Sequence, residues 1–200
     1  MFSGIVQQTS PVIAVDKKEG LTRIVIDLGD LANGIRQGAS VSVSGVCLTV
    51  THIDGASIAS DMMEETLTKT TLGSLNVGDT ANIERSIRAD AEIGGHRVSG
   101  HVTGTATIMH LETPPNNHIL TFECDPAWME YILPKGFIAL DGCSLTIVDV
   151  FPNRFTVHLI PETLRITTFG TKKVGDRVNL ELDPTTQVIV ETVKKYLSNK

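Results

Sequence analysis

The chain is poor in aromatic residues: they make up 4% of its 200 positions, with Trp128 the one tryptophan. That leaves little for the stacking platforms on which single-stranded nucleic acid binds. Positive charge is not in surplus either. A formal net charge of -6 and a pI near 5.5 argue against a nucleic-acid partner, whose phosphates need a basic face. No apolar run reaches the roughly 18 residues of a membrane-spanning helix. The opening MFSGIVQQTS lacks the charged start and long apolar stretch of a secretion signal. The cysteines, Cys47, Cys124 and Cys143, are odd in number and form no C-x-x-C pair. Reduced thiols in a cytoplasmic protein are expected, not a disulfide framework.

Standard motifs are missing too. There is no G-x-x-x-x-G-K-[ST] loop and no G-x-G-x-x-G ahead of a helix, so no phosphate cradle of a common type. GVCLT and GCSLT lack the second glycine of a G-x-S-x-G nucleophile elbow. His96 and His101, five apart in an apparent strand, are expected on opposite faces, which does not suit a shared metal ion.

What is present is a repeat. At an offset of 97, Gly45 falls on Gly142, Leu48-Thr49 on Leu145-Thr146, and Glu65-Thr66-Leu67 on Glu162-Thr163-Leu164. Val77-Gly78-Asp79 falls on Val174-Gly175-Asp176, and of the 40 positions from 45 to 84, 14 are identical without a gap. Upstream, Ser3-Gly4 matches Ser99-Gly100 at an offset of 96. A period near 97 is too long for a solenoid, whose units run about 20–50 residues, and has the size of a small domain. Two homologous domains, 1–92 and 93–184, and a tail, 185–200, are expected.

Each half reads as strands. RIVIDL, SVSVSG, FIAL, FTVHLI and RVNLEL alternate with the two-residue period of half-buried strands, and DG and NG pairs punctuate them. Many short strands with frequent turns indicate an all-β sandwich or closed barrel. Short helical pieces fit DLANGIRQ and PAWMEYIL, at equivalent places. The tail differs. Asp183 and Pro184 are helix-start residues, and Ile189, Val193, Tyr196 and Leu197 then share one face. Such a short helix must dock on its own body or on other subunits.

Small hydroxyl and thiol residues recur at fixed places. Cys47 and Thr49 sit two apart, as do Ser144 and Thr146, so each pair projects to one face of its strand. Thr66 and Thr163 follow Glu65 and Glu162. A threonine on a strand or at a turn is ordinary, and a fold can demand the same turn twice. His101 follows Gly100 where the second half begins.

Taken together, MFSGIV, GVCLTVT, GGHRVSGHV, KGFIALDGCSLT, LIPETLRITTFG and VGDRVNLELD closely resemble riboflavin synthase of the alpha-chain type, over nearly the whole chain. The resemblance implies two similar six-stranded Greek-key β-barrels and a C-terminal α-helix through which three chains form a homotrimer. It implies a dismutation in which two molecules of 6,7-dimethyl-8-ribityllumazine exchange a four-carbon unit. One becomes riboflavin and the other 5-amino-6-ribitylamino-2,4-pyrimidinedione, with no cofactor and no metal. The family's site lies between the N-terminal barrel of one subunit and the C-terminal barrel of a neighbour. Association with a lumazine synthase shell is left open.

By the same resemblance, the first barrel's pocket is expected to use Gly4, Ile5 and Val6, Cys47, Leu48 and Thr49, and the stretch Asp61, Met62, Met63, Glu64, Glu65 and Thr66. The second is expected to use Gly100, His101 and Val102, Ser144, Leu145 and Thr146, and the stretch His158, Leu159, Ile160, Pro161, Glu162 and Thr163. Lys135 would reach in from the neighbouring subunit. Ser40, Cys47, His101, Ser144 and Thr146 are the candidates for chemistry, with Phe2 closing the first site. The identity of the base stays open. Cys47 is the most reactive of these groups if its pKa is lowered, and His101 is the natural proton carrier near neutral pH. The competing reading is a non-catalytic antenna of the lumazine-protein type. Both copies keep G-x-x-L-T and E-T-L, and Cys47 and His101 are present, which favours the enzyme.

Overall fold

The structure is a computed structural model that describes residues 1–199. The alternating segments all form strands. The first half contains β1 (Gln8–Lys18), β2 (Leu21–Asp27), β3 (Ser40–Val43), β4 (Val46–Asp54), β5 (Ser57–Met63) and β6 (Thr80–Arg85). The second contains β7 (Gly104–Glu112), β8 (His118–Glu123), β9 (Phe137–Leu140), β10 (Cys143–Val150), β11 (Arg154–Leu159) and β12 (Arg177–Leu182). Each half closes into an antiparallel barrel. The orders β1-β2-β5-β4-β3-β6 and β7-β8-β11-β10-β9-β12 are the same order written twice.

Alternation explains the cores. Along β2, Ile24 and Ile26 point inward, beside Val41, Val43, Leu48, Val50 and Ile83 from other strands. The second barrel is filled by larger groups. Phe122 and Phe155 stack with centroids 5.6 Å apart, and Phe169 meets Phe122 edge-on at 6.5 Å. Each such side chain taken out of water contributes about 1.5–3 kcal/mol. The sequence DLANGIRQ forms a single 3-10 turn at Gly29–Ala32, and PAWMEYIL a longer one at Pro126–Tyr131. The E-T-L repeats sit in two short helices, α1 (Glu64–Lys69) and α2 (Pro161–Ile166).

The barrels meet through two hairpin tips. Ser44-Gly45 and Asp141-Gly142 all have positive φ, as two-residue turns joining right-handed strands require. The tips touch so closely that a Cβ on Gly45 would lie 2.6 Å from the Gly142 nitrogen. Two buried asparagines tie the halves together. Asn82 donates to the Asp141 carbonyl at 2.9 Å and accepts from the Thr168 amide at 2.8 Å. Asn179 does the same to Ser44 and Thr71, both at 2.7 Å.

The tail forms α3 (Pro184–Ser198). Asp183 caps it by accepting from the amides of Thr185 and Thr186. Its polar side docks on the Pro126–Tyr131 turn, where Tyr131 donates to Glu191 and Lys194 pairs with Glu130. Val188, Ile189, Val193, Tyr196 and Leu197 on its apolar side are all more than half exposed. Among the described residues no helix is long and apolar enough to cross a membrane.

Candidate functional site

The short segments that precede each barrel cross to the other one. Phe2 and Val98 pair antiparallel, with Phe2 N–H donating to the Val98 carbonyl at 2.8 Å. Buried carboxylates pin the next two residues of each segment. Glu84 accepts from the Ser3 amide at 2.6 Å, the Ser3 hydroxyl at 2.7 Å and the Gly4 amide at 3.0 Å. Glu181 holds Ser99 and Gly100 in the same way, at 2.7, 2.7 and 2.9 Å. Burial pushes the Glu84 carboxyl above its ordinary pKa, and the hydrogen bonds from Ser3 and Gly4 oppose that.

So pinned, each glycine meets the reactive strand of the opposite barrel. The Gly100 carbonyl accepts from the Cys47 amide at 2.9 Å, and the Gly4 carbonyl from the Ser144 amide at 2.8 Å. The approach requires glycine twice over. Both residues have positive φ, +73° at Gly4 and +82° at Gly100. A Cβ on either would sit 2.5 Å from the Cβ of Ser144 or Cys47.

This exchange corrects the expected pocket composition. Gly4, Ile5 and Val6 lie against Ser144 of the second barrel, and Val6 is part of that barrel's core. Gly100, His101 and Val102 lie against Cys47 of the first. An offset in sequence says which residues are equivalent; it does not say which barrel they touch. His96 and His101 also lie in irregular chain rather than a strand, apart from the bridge at Val98.

The first site is a cavity of about 310 Å³ between Cys47, Thr66, Gly100, His101 and Val102, with Glu65 and Lys69 at its rim. That is at the low end for small-molecule cavities. Cys47 and Thr49 project outward from β4, whereas the Leu48 side chain enters the core. On β5 Met62 is likewise a core residue, while Met63 is exposed. Asp61 is held by Arg23 at 2.7 and 2.9 Å, which keeps its carboxyl below the usual range. Glu64 and Glu65 open α1 on the surface, and Glu65 pairs with Lys69.

The second site repeats the pattern with other residues. Ser144 and Thr146 project from β10, and Leu145 faces the core. Leu159 is buried, so only its backbone can meet a ligand; His158, Ile160, Pro161 and Glu162 are exposed, and Thr163 is half-buried. Ile5 stands where the first site has His101. The sequence pattern does not single out His96 for this site, yet its Nδ1 lies 2.6 Å from the Ser144 hydroxyl oxygen. Only its pairing with a serine far away in sequence shows it.

Three expected residues are not part of either cavity wall, though two of them adjoin the first site. Phe2 is buried with Val98 and Ala139 and packs against Cys47, so it adjoins the first site from the core side. Ser40 begins β3 opposite Thr49, and its carbonyl accepts from the Ser86 hydroxyl at 2.6 Å. Lys135 is exposed and has a φ of +66°, where the first half has Gly38. A larger open cleft of about 700 Å³ runs past Ile5, Leu31, Arg85 and Arg88. Its arginines are already engaged, Arg85 by the Leu31 and Asn33 carbonyls and Arg88 by Asp90.

No group of three or more histidine, cysteine or carboxylate side chains that could hold a metal ion occurs among the described residues. The other thiols are inert: burial pushes Cys143 up to about 12 and Cys124 to about 11.

Comparison with known proteins agrees with this duplication. A family model described as "Lumazine binding domain" matches twice, at residues 3–86 and 99–183. The chain is 49% identical to riboflavin synthase of Escherichia coli (strain K12) over 200 residues, covering 99% of this chain and 94% of that one. It is 41% identical to riboflavin synthase of Chlamydia pneumoniae, covering 100% and 98%. A crystal structure of LumP complexed with riboflavin superposes with a TM-score of 0.84 at 26% identity, over 92% of this chain and 100% of that one.

Proposed function

The chain belongs to the riboflavin synthase family, and we propose that it carries out that family's dismutation, with one 6,7-dimethyl-8-ribityllumazine held by each barrel. The observation that carries this reading is the near full-length identity of 49% to a riboflavin synthase, against 26% to LumP complexed with riboflavin. The geometry supports it physically. A reaction between two copies of one compound needs two sites for that compound, and the two crossing segments offer matching frames for them. Holding the partners face to face turns a bimolecular step into an effectively unimolecular one.

In this reading Cys47, Thr49, Thr66, Gly100 and His101 serve the first lumazine. Ser144, Thr146, Thr163, Gly4 and Ile5 serve the second. Backbone groups of β4 and β10 read the pyrimidinedione edge, and Thr66, Thr163 and nearby carboxylates take the ribityl hydroxyls. The chemistry requires that one lumazine lose a proton from its C7 methyl group and that the other accept the resulting carbon nucleophile. His101, exposed at the rim of the first cavity, is placed to take that proton.

The two sites of one reaction come from neighbouring subunits, with Lys135 reaching across and the apolar face of α3 joining three chains. The functional units are 1–92, 93–184 and the helical tail 185–200, and the protein works in the cytoplasm. Incubating the purified chain with the lumazine alone tests the reading. One riboflavin should appear for every two lumazines consumed. Tight binding without turnover would overturn it in favour of an antenna protein.

A further inference from the structure

Each site has a histidine close to its Cys47 or Ser144 position, but on different arms. His101 of the first site lies on the crossing segment and is exposed. His96 of the second comes from the linker between the barrels and is only 7% exposed. Its ring stacks on Phe137, with centroids 5.0 Å apart and planes 12° from parallel. Gly95 beside it lets the linker close over Ser144: a Cβ there would lie 2.4 Å from the Ser3 carbonyl oxygen and 2.7 Å from the Ser144 Cβ. The imidazole is therefore clamped between an aromatic ring and a serine.

The clamp decides which way the serine hydroxyl points. His96 Nδ1 lies 2.6 Å from Ser144 Oγ, while Nε2 is buried with no hydrogen-bond partner among the described residues. Burial lowers the ring's pKa, so it carries one proton near neutrality. If that proton sat on Nε2, a buried N–H would lack any acceptor. On Nδ1 it is satisfied by Ser144 and leaves only a bare lone pair at Nε2. Orphaned buried N–H groups are the rarer of the two. Nδ1–H therefore donates to Ser144 Oγ, and the serine's own hydrogen is turned away from His96. Cys47, the equivalent residue, has no histidine hydrogen-bonded to its thiol among the described residues.

We propose that His96 is a positioning residue of the second site, which fixes the Ser144 hydroxyl as a hydrogen-bond donor to an acceptor atom of the heterocycle held there. The proposal rests on the assignment of the second barrel as a lumazine site. It makes the two sites unlike in polarity: a fixed O–H donor in the second, a weakly donating thiol in the first.

A double-mutant cycle on the full-length chain tests it, read in turnover of the lumazine and in riboflavin affinity by flavin fluorescence. Ser144→Ala and His96→Phe, which keeps a stacked ring but no donor, should each lower kcat/KM about tenfold, the worth of one hydrogen bond. The double variant should be no worse than Ser144→Ala. His96→Asn, whose amide sits near the Nδ1 position, should recover most of the loss. A double variant about a hundredfold down, the product of the singles, would show that His96 acts independently of Ser144 and would overturn the proposal. Should His96→Phe not fold, His96→Gln replaces it in the cycle, and the same two outcomes support or overturn the proposal. Wild-type turnover controls for the enzymatic reading, and the coupling in riboflavin affinity judges the pair even if that reading fails.

Discussion

The two barrels share one topology and one way of receiving a segment from the other, yet they differ at both places where they meet. At the contact between hairpin tips, the first half uses Ser44 and Leu75, and the second uses Asp141 and Lys172 at the equivalent positions. Ser44 accepts from the Asn82 amide at 3.2 Å, and Asp141 from the Asn179 amide at 2.7 Å. The substitution of Asp for Ser brings a buried charge, and Lys172 meets it at 3.1 Å. At the sites, Cys47 and His101 stand opposite Ser144 and Ile5. Duplication has preserved the backbone hydrogen bonds and let the side chains diverge in compensated pairs. The frame is common property, and chemistry is free to differ within it.

Breaking one compensated pair should have the largest effect. Burial raises the pKa of Asp141, Lys172 lowers it, and burial is the stronger cause. Lys172→Leu removes the counter-charge and copies the first half's residue on one side only. Stability should fall by about 3–5 kcal/mol, the usual cost of stripping a buried charge of its partner. Asp141 then has a still higher folded pKa. A carboxyl whose folded pKa is raised contributes most below its unfolded pKa and loses that contribution as pH rises through the folded one. Urea melts of the variant should therefore improve towards acid pH relative to wild type. Adding Asp141→Ser, which completes the first half's pair, should recover most of the loss at neutral pH. A double variant as weak as the single would mean that the two pairs are not interchangeable.

The crossing glycines test whether the frame is symmetric. Gly100→Ala and Gly4→Ala each place a Cβ 2.5 Å from another and demand positive φ of an L-residue. Each should cost roughly 2–4 kcal/mol, from overpacking and backbone strain together. Because the neighbours are backbone and Cβ atoms, neither can yield cheaply. Equal losses in urea melts would match the shared geometry. A much smaller loss at one of them would locate slack in that barrel's docking.

The symmetric frame is legible in the sequence; the docking of its halves is not. The strands, the period of 97 and the capped tail can be read, because alternation, glycine turns and Asp-Pro are local signals. So can the candidate residues on β4 and β10, because alternation places Cys47 and Thr49 on one face. The partnership of Gly4 with Ser144 cannot. It depends on how two barrels dock, which no spacing encodes. Phe2 and Met62 match a site by position alone, and burial removes their side chains from the surface. His96 leaves no local signal, because its role rests on a serine in another strand and on a neighbouring glycine that admits it.

The mildest change exchanges the one nucleophilic atom between otherwise similar frames. Cys47→Ser should leave stability within about 0.5 kcal/mol, since the residue is half-buried and its backbone bond to Gly100 is untouched. The first site would then carry the second site's residue, but without a histidine behind it. If Cys47 acts in the chemistry, turnover should drop about tenfold or more while riboflavin affinity moves less than about threefold, because only an interaction stronger in the transition state lowers kcat. The reciprocal Ser144→Cys should instead act on binding, as the fixed donor is replaced by a weak one. The contrast between a kcat effect at one position and an affinity effect at the other is what unlike roles for the two barrels require. An unchanged rate for Cys47→Ser would reduce that thiol to part of the wall. The difference between the sites would then rest on their histidines, His101 at the open rim of one and His96 buried behind the serine of the other.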